Sequence, residues 1–220
     1  MLLAIDTSTA QVGLALYDGT QVLSEMTWTT RQHHTTELAP ALAGLLARSG
    51  NSMEEISALG VAIGPGSFTS LRVGLSFVKG LALARSLPVI GIPTLEIIAA
   101  AQPVEKHPLV AVIQAGRTRI ALGWYKSSKN KWQPIGDVRS ATVDELINEI
   151  KSPTLVAGEL ASEERLRLAR KNVMLASPAN SVRRPSILAE LAWARLQENK
   201  VDEAASLAPV YLHVAGAPPA

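Results

Sequence analysis

Gly64-Pro65-Gly66-Ser67-Phe68-Thr69-Ser70-Leu71-Arg72-Val73-Gly74 is the stretch on which the reading of this chain turns. The apolar run from Ala58 to Ile63 before it predicts a buried strand, and two glycines and a proline make the turn that follows. A helix is expected from about Ser67 to Ser86. Gly64 and Gly66 tolerate positive φ and, lacking side chains, let a ligand or another backbone approach closely. Ser67 or Thr69 can cap the helix, whose first N–H groups have no internal partner. Strand, tight turn and helix start together resemble a phosphate cradle. The Lys-Ser/Thr pair of a P-loop is missing, and a plain strand-to-helix turn with no ligand fits the same residues.

A second turn of this kind precedes it. Leu2 to Ile5 reads as a buried strand ending in Asp6-Thr7-Ser8, and two further strands follow, Val12 to Tyr17 and Gln21 to Trp28, joined through Asp18-Gly19. Hydroxyls and N–H groups at such a strand end suit a phosphate, and the carboxylate suits a hydrated metal ion. An Asx-type turn in which Asp6 satisfies its own loop is the alternative. Asp6, Thr7, Ser8, Gly64, Gly66 and Ser67 are therefore the nucleotide-site candidates, as a remnant without a full ligand set.

The second half repeats the plan. After the polar, proline-bearing segment Gln102 to Pro108, read as a linker, come Leu109 to Ile113 and Thr118 to Tyr125, then capped helices and short strands up to a helix over Pro185 to Glu198. Two α/β lobes of related architecture are expected, 1–103 and 104–220, with the segment Pro209 to Leu212 a candidate strand or arm returning to the first lobe. Where Asp6 stands in the first lobe, the second has Gln114-Ala115-Gly116-Arg117. Gln114 cannot hold a cation strongly or act as a base. Alternation along Thr118 to Tyr125 puts Arg119, Ala121, Gly123 and Tyr125 on one face, expected to be a solvated sheet face, with RNA contact by the nearby basic and aromatic residues as the alternative.

Composition narrows the function. With 47% apolar and 18% charged residues and a net charge of +2, the chain is a folded protein without general attraction for nucleic acid or membrane. The charge divides unevenly, −2 up to Val110 and +4 beyond it. The absence of cysteine excludes disulfides, thiolate metal sites and cysteine nucleophiles. The amino terminus lacks the pattern of a signal peptide, so a cytoplasmic location is expected. His33 and Glu37 lie one helical turn apart, but two ligands fall short of a catalytic zinc set, and a solvated or interface histidine pair is expected at His33-His34. No catalytic triad or metal site is read from the sequence.

The helix after the opening turn has apolar residues on two sides, Leu71, Leu75 and Val78 on one and Val73, Phe77, Leu81 and Ala84 on the other, with Gly74 and Gly80 among them. Such a helix needs two neighbours, either both within the fold or one from a second chain.

These residues resemble a known family. Ala4-Ile5-Asp6-Thr7-Ser8, the segment Arg31-Gln32-His33-His34-Thr35-Thr36-Glu37-Leu38, the Gly64–Gly74 stretch with Lys79-Gly80-Leu81-Ala82, and Pro209-Val210-Tyr211-Leu212 are similar to motifs of the TsaB (YeaZ) family. The resemblance implies the two-lobed actin-like fold (ASKHA, ribonuclease H-like), with mixed sheets flanked by helices. It implies a non-catalytic subunit in threonylcarbamoylation of the adenosine beside the anticodon, in tRNAs reading codons that begin with A. The implied partners are a TsaD-like transferase and a TsaE-like ATPase, which carry ATP and Mg, or a second copy of the chain when alone. tRNA is reached through the complex, and no cofactor is held strongly by this chain. Partner-facing candidates are His33, His34, Glu37, Leu38 and Leu42 on the first helix, and Phe68, Leu71, Arg72, Gly74, Leu75, Val78, Lys79 and Gly80 on the second. An autonomous ATP-dependent small-molecule kinase or transferase of the same fold is the competing expectation.

Overall fold

A computed structural model describes residues 1–30, 33–116 and 118–212. Arg31, Gln32, Arg117 and the tail from His213, all cited above for motifs or ends, lie outside the described residues.

The chain forms two units. The first comprises Met1–Ile97 together with Arg183–Val210, and the second is built on Ile98–Val182. Each holds one five-stranded sheet. In the first, β1 (Leu2–Asp6), β2 (Gln11–Tyr17), β3 (Val22–Thr29), β4 (Ala58–Gly64) and β5 (Val89–Pro93) lie in the order β3-β2-β1-β4-β5. The first three form an antiparallel meander, while β4 and β5 run parallel to β1. The second sheet repeats this with β6 (Leu109–Gln114), β7 (Ile120–Ser128), β8 (Lys131–Ala141), β9 (Thr154–Gly158) and β10 (Val173–Leu175). This is the actin-like, ribonuclease H-like arrangement, and it occurs twice.

The central strand β1, between antiparallel β2 and parallel β4, is buried on both faces, as a strand covered by helices on both sides should be. Its alternation divides the first unit's core. Leu3 and Ile5 join Leu38, Leu42 and Leu45 of helix α1 (His34–Ser49) and Leu75 and Val78 of helix α2 (Phe68–Arg85). Leu2 and Ala4 face the other way, onto Leu188, Ala189 and Ala192 of helix α6 (Pro185–Gln197). The alanines on both surfaces let this helix lie close to the sheet. Helix α3 (Thr94–Ala100) begins directly after β5. In the second unit, Val110, Val112, Ile120 and Leu122 pack with Leu146 of helix α4 (Val143–Glu149) and Leu168 of helix α5 (Ser162–Leu168). The expected capping box of α4 forms, with Glu145 N–H donating to Thr142 Oγ1 and Thr142 N–H to Glu145 Oε2.

Three expectations about organisation are corrected. The last helix belongs to the first unit and not to the second, because its apolar stripe matches the far face of the first sheet. Gln102 is not part of a solvated linker: it is buried, donating to the Ile98 and Asn180 carbonyls and accepting from Trp132 Nε1. On β7, Ala121 and Tyr125 are buried and not solvated. The segment Pro209 to Leu212 forms no strand; Val210 N–H donates to the Ile63 carbonyl at 2.7 Å as an extended arm.

The return of α6 is fixed at its start by a carboxylate from the sheet. No side chain of Arg184 caps this helix. Instead Glu25 Oε1, on β3, accepts from Ser186 N–H at 3.0 Å and from Ser186 Oγ at 2.6 Å, while Oε2 accepts from Arg184 Nη2 at 2.7 Å. An anion at a helix N-terminus is favoured by the exposed N–H groups and the helix dipole. Partial burial works to raise the Glu25 pKa, but the hydrogen bonds from Arg184 and Ser186 outweigh it and leave it below the usual carboxylate value. A carboxylate with a lowered folded pKa stabilises above its unfolded pKa, and that contribution is lost as the pH falls through the folded value. Glu25→Gln is therefore expected to lower stability by about 1 kcal/mol at neutral pH. The gap to the parent should close as the pH is lowered below 4.5, as followed by urea denaturation across a pH series; a pH-independent gap would show that the charge is immaterial.

Candidate functional site

The two turns singled out in the sequence meet at the ends of β1 and β4. Asp6 Oδ1 accepts from Ser8 N–H at 2.8 Å, so an Asx turn does form. Thr7 Oγ1 donates to the Ser70 carbonyl at 2.7 Å. The Ser8 and Thr94 hydroxyls share a hydrogen bond at 2.8 Å, and Gly64 N–H donates to Thr94 Oγ1 at 3.1 Å. Ser67 caps α2, accepting from Ser70, and its own N–H donates to the Ser8 carbonyl at 2.7 Å. The Thr7, Ser8 and Ser67 hydroxyls are thus each hydrogen-bonded within the protein itself.

The other oxygen of Asp6 holds the residue that sequence reading missed. Arg183 Nε donates to Asp6 Oδ2 at 2.8 Å, and its Nη2 donates to Thr9 Oγ1 at 2.9 Å and to the Gln11 carbonyl at 3.0 Å. Asp6 is 2% exposed and Arg183 1%. No local signal marks Arg183. Its neighbour Arg184 has the same residue type one position on, but is mostly exposed.

The glycines of the opening stretch allow close approach, and what approaches is backbone or side chain of the same unit. A Cβ on Gly66 would lie 2.2 Å from the Ser8 carbonyl oxygen. One on Gly64, whose φ is +111°, would lie 2.5 Å from the Val210 carbonyl oxygen. One on Gly74 would lie 2.2 Å from Thr7 Oγ1. Gly74 therefore joins α2 to the Asp6 turn, not to another chain.

Burial sorts the remaining candidates. Leu38, Leu42, Leu71, Leu75 and Val78, expected to face a partner, are buried within the first unit, because the sheet is the wider apolar surface available to both helices. His34 is also buried: its Nε2 lies 2.9 Å from the Thr9 carbonyl, which can only accept, so this nitrogen carries the hydrogen. Glu37 Oε2 accepts from the Trp28 indole at 2.8 Å, and that bond, with one from Thr30, holds its carboxyl below the usual range. His33 is exposed. Among the described residues no group of three or more His, Asp or Glu could hold a metal ion. In the second unit Gln114 donates to Glu164.

What stays open is the outer stripe of α2: Phe68 (51% exposed), Thr69, Arg72, Ser76, Gly80 and Leu83 (87% exposed), at spacings of one and two turns. The Arg72 guanidinium lies over the Phe68 ring at 3.6 Å, within cation–π range. Phe68, Thr69, Arg72 and Ser76 of this stripe, with Thr35 of α1 and Val73 and Phe77, line an open groove of about 570 Å³. Lys79 Nζ donates to the Ala205 carbonyl at 3.1 Å, at one edge of a second groove of about 510 Å³ that includes Leu83.

The model of the family described as TsaD, tRNA N6-adenosine threonylcarbamoyltransferase, matches residues 21–217. The chain belongs to this family, in its TsaB (YeaZ) group. It is 28% identical over 224 residues to the tRNA threonylcarbamoyladenosine biosynthesis protein TsaB of Bacillus subtilis, covering 98% of the chain and 95% of that protein. Against the Escherichia coli protein of the same name it is 40% identical over 94 residues, 43% of the chain and 40% of that protein. The solved structure of YeaZ from Pseudomonas aeruginosa superposes with a TM-score of 0.79 at 25% identity, covering 96% of the chain and 99% of that structure. The ethanolamine utilization protein EutJ of Carboxydothermus hydrogenoformans shares the fold alone, with a TM-score of 0.54 at 15% identity and coverage of 86% and 88%. No helix among the described residues is long and apolar enough to cross a membrane.

Within this TsaB-like chain, Gly74 and Leu83 should behave oppositely. Gly74→Ala is expected to destabilise by about 1–3 kcal/mol through overpacking against Thr7. Leu83→Ala should stay within about 0.5 kcal/mol of the parent. Urea denaturation of both variants checks this, and an innocuous Gly74→Ala would return that residue to the surface role first read for it.

Proposed function

We propose that the chain is an accessory subunit that docks through the outer stripe of α2 onto a TsaD-like threonylcarbamoyltransferase. The complex, joined by a TsaE-like ATPase, modifies the adenosine next to the anticodon in tRNAs that read A-starting codons. The observation that carries this reading is the open α2 stripe. Phe68 and Leu83 expose large apolar side chains on the same helix whose opposite side is fully used by the sheet. Large aromatic and aliphatic residues beside an arginine are what a protein interface needs at its centre. The relatives' role in threonylcarbamoyladenosine biosynthesis, carried in their names, suggests the reaction to which the subunit would contribute. In the free chain the same stripe suits a second copy.

The competing kinase reading needs the turn hydroxyls and the Asp6 carboxylate for a nucleotide and its cation. In this chain those groups are engaged by Ser70, Thr94, Ser8 N–H and Arg183. Transfer chemistry and bound ATP therefore belong on the partner subunits in this proposal.

The test is reconstitution. The chain with a TsaD-like transferase, a TsaE-like ATPase, ATP, an activated threonylcarbamoyl donor and unmodified tRNA should yield threonylcarbamoyl adenosine in digested tRNA, and omission of the chain should abolish it. Phe68→Asp with Leu83→Asp should weaken association with the transferase at least about tenfold, a change of ~1.4 kcal/mol, with thermal stability of the isolated chain retained. Unaltered modification without the chain, or full association of the double variant, would overturn the proposal.

A further inference from the structure

A carboxylate taken out of water needs a compensating charge, and a buried one is stable only when its remaining lone pairs are also met. Asp6 ends β1, and in the phosphate-site reading of this turn an exchangeable cation would supply that charge. Here the charge comes from Arg183, on the segment that returns from the second unit to the first. Its guanidinium ties three consecutive pieces of the turn together: Asp6, Thr9 and Gln11. Gln11 Oε1 in turn accepts from the Arg183 N–H at 3.2 Å. Through Ser8, whose carbonyl receives the Ser67 N–H, the same turn seats the first residues of α2.

We propose that Arg183 is a built-in cation that makes the first unit's ligand turn self-liganded. Its guanidinium replaces an exchangeable cation–phosphate ligand at Asp6 and keeps the start of α2 ordered without one. The turn is thereby closed to nucleotides, and α2 is held in place whether or not ATP is present. This goes beyond the partner reading and does not depend on it, since it concerns the isolated chain.

Arg183→Ala removes the charge and leaves room for a small planar cation, so rescue by free guanidinium tests the idea directly. Arg183→Ala is expected to lower the Tm by about 10 °C and to speed hydrogen exchange at the Ser67 amide. Guanidinium at sub-denaturing concentration should recover part of both, relative to sodium chloride at equal ionic strength. It should do neither in the parent, nor in Arg183→Ala combined with Asp6→Asn. Magnesium with ATP, or with inorganic phosphate, should leave the Tm of the parent unchanged. A Tm within about 2 °C of the parent for Arg183→Ala, equal guanidinium effects on the single and double variants, or stabilisation of the parent by magnesium and ATP would each overturn the proposal. Should Arg183→Ala not fold, refolding in guanidinium against sodium buffer decides: folded protein only with guanidinium supports the built-in cation, and failure in both refutes it.

Discussion

The buried pair of Asp6 and Arg183 is the constraint around which the first unit is arranged. A lone carboxylate at that depth would be too costly to keep ionised, and a lone guanidinium more so. Each is tolerable only because the other is there and because Ser8 N–H, Thr9 Oγ1 and the Gln11 carbonyl complete the set of partners. The pair joins residues 177 positions apart, so it also decides where the chain returns after the second unit. Replacing both by apolar groups of similar shape could be as stable, which makes the pair a device for position more than for stability.

From that point the arrangement of α6 follows. Arg183 enters the turn, Arg184 faces out to Glu25, and Pro185 starts the helix with φ already set for it. Glu25 then supplies the cap that Arg184 does not. The helix arrives at the far face of the sheet already aligned, and its alanines meet Ala4 and Ala15 closely enough to exclude water. At its other end Arg195 donates to the Gly91 carbonyl and to Glu96, so the helix is held to the sheet and to the start of α3.

The same turn determines which side of α2 is available. Gly66 and Gly74 bring the helix so near to Ser8 and Thr7 that no side chain fits between them, and this close contact fixes the rotation of the helix about its axis. Leu71, Leu75 and Val78 are then committed to the core. Phe68, Arg72, Ser76, Gly80 and Leu83 are left outside as one stripe. The exposed stripe proposed for docking is thus a by-product of how the turn is closed. The features that first suggested phosphate binding and those that suggested association are two sides of one packing arrangement.

Much of this was legible in the chain itself. Alternation, apolar runs and turn residues such as Asp18-Gly19 locate the strands and helices, because hydrophobic period and capping chemistry act over a few residues. The Asp6-Thr7-Ser8 turn and the Ser67 cap were readable for the same reason. Which glycine serves the fold was not: Gly74 and Gly80 look alike in sequence, yet one meets Thr7 and the other meets nothing within 4 Å. Nor was the choice between adjacent arginines legible, since Arg183 and Arg184 differ only in which side of an extended segment they leave. Local sequence determined the elements and their ends. Tertiary structure alone decided that Asp6 would find its cation within the chain, because that partner lies 177 residues away and is recognised by burial and geometry, which no local pattern encodes.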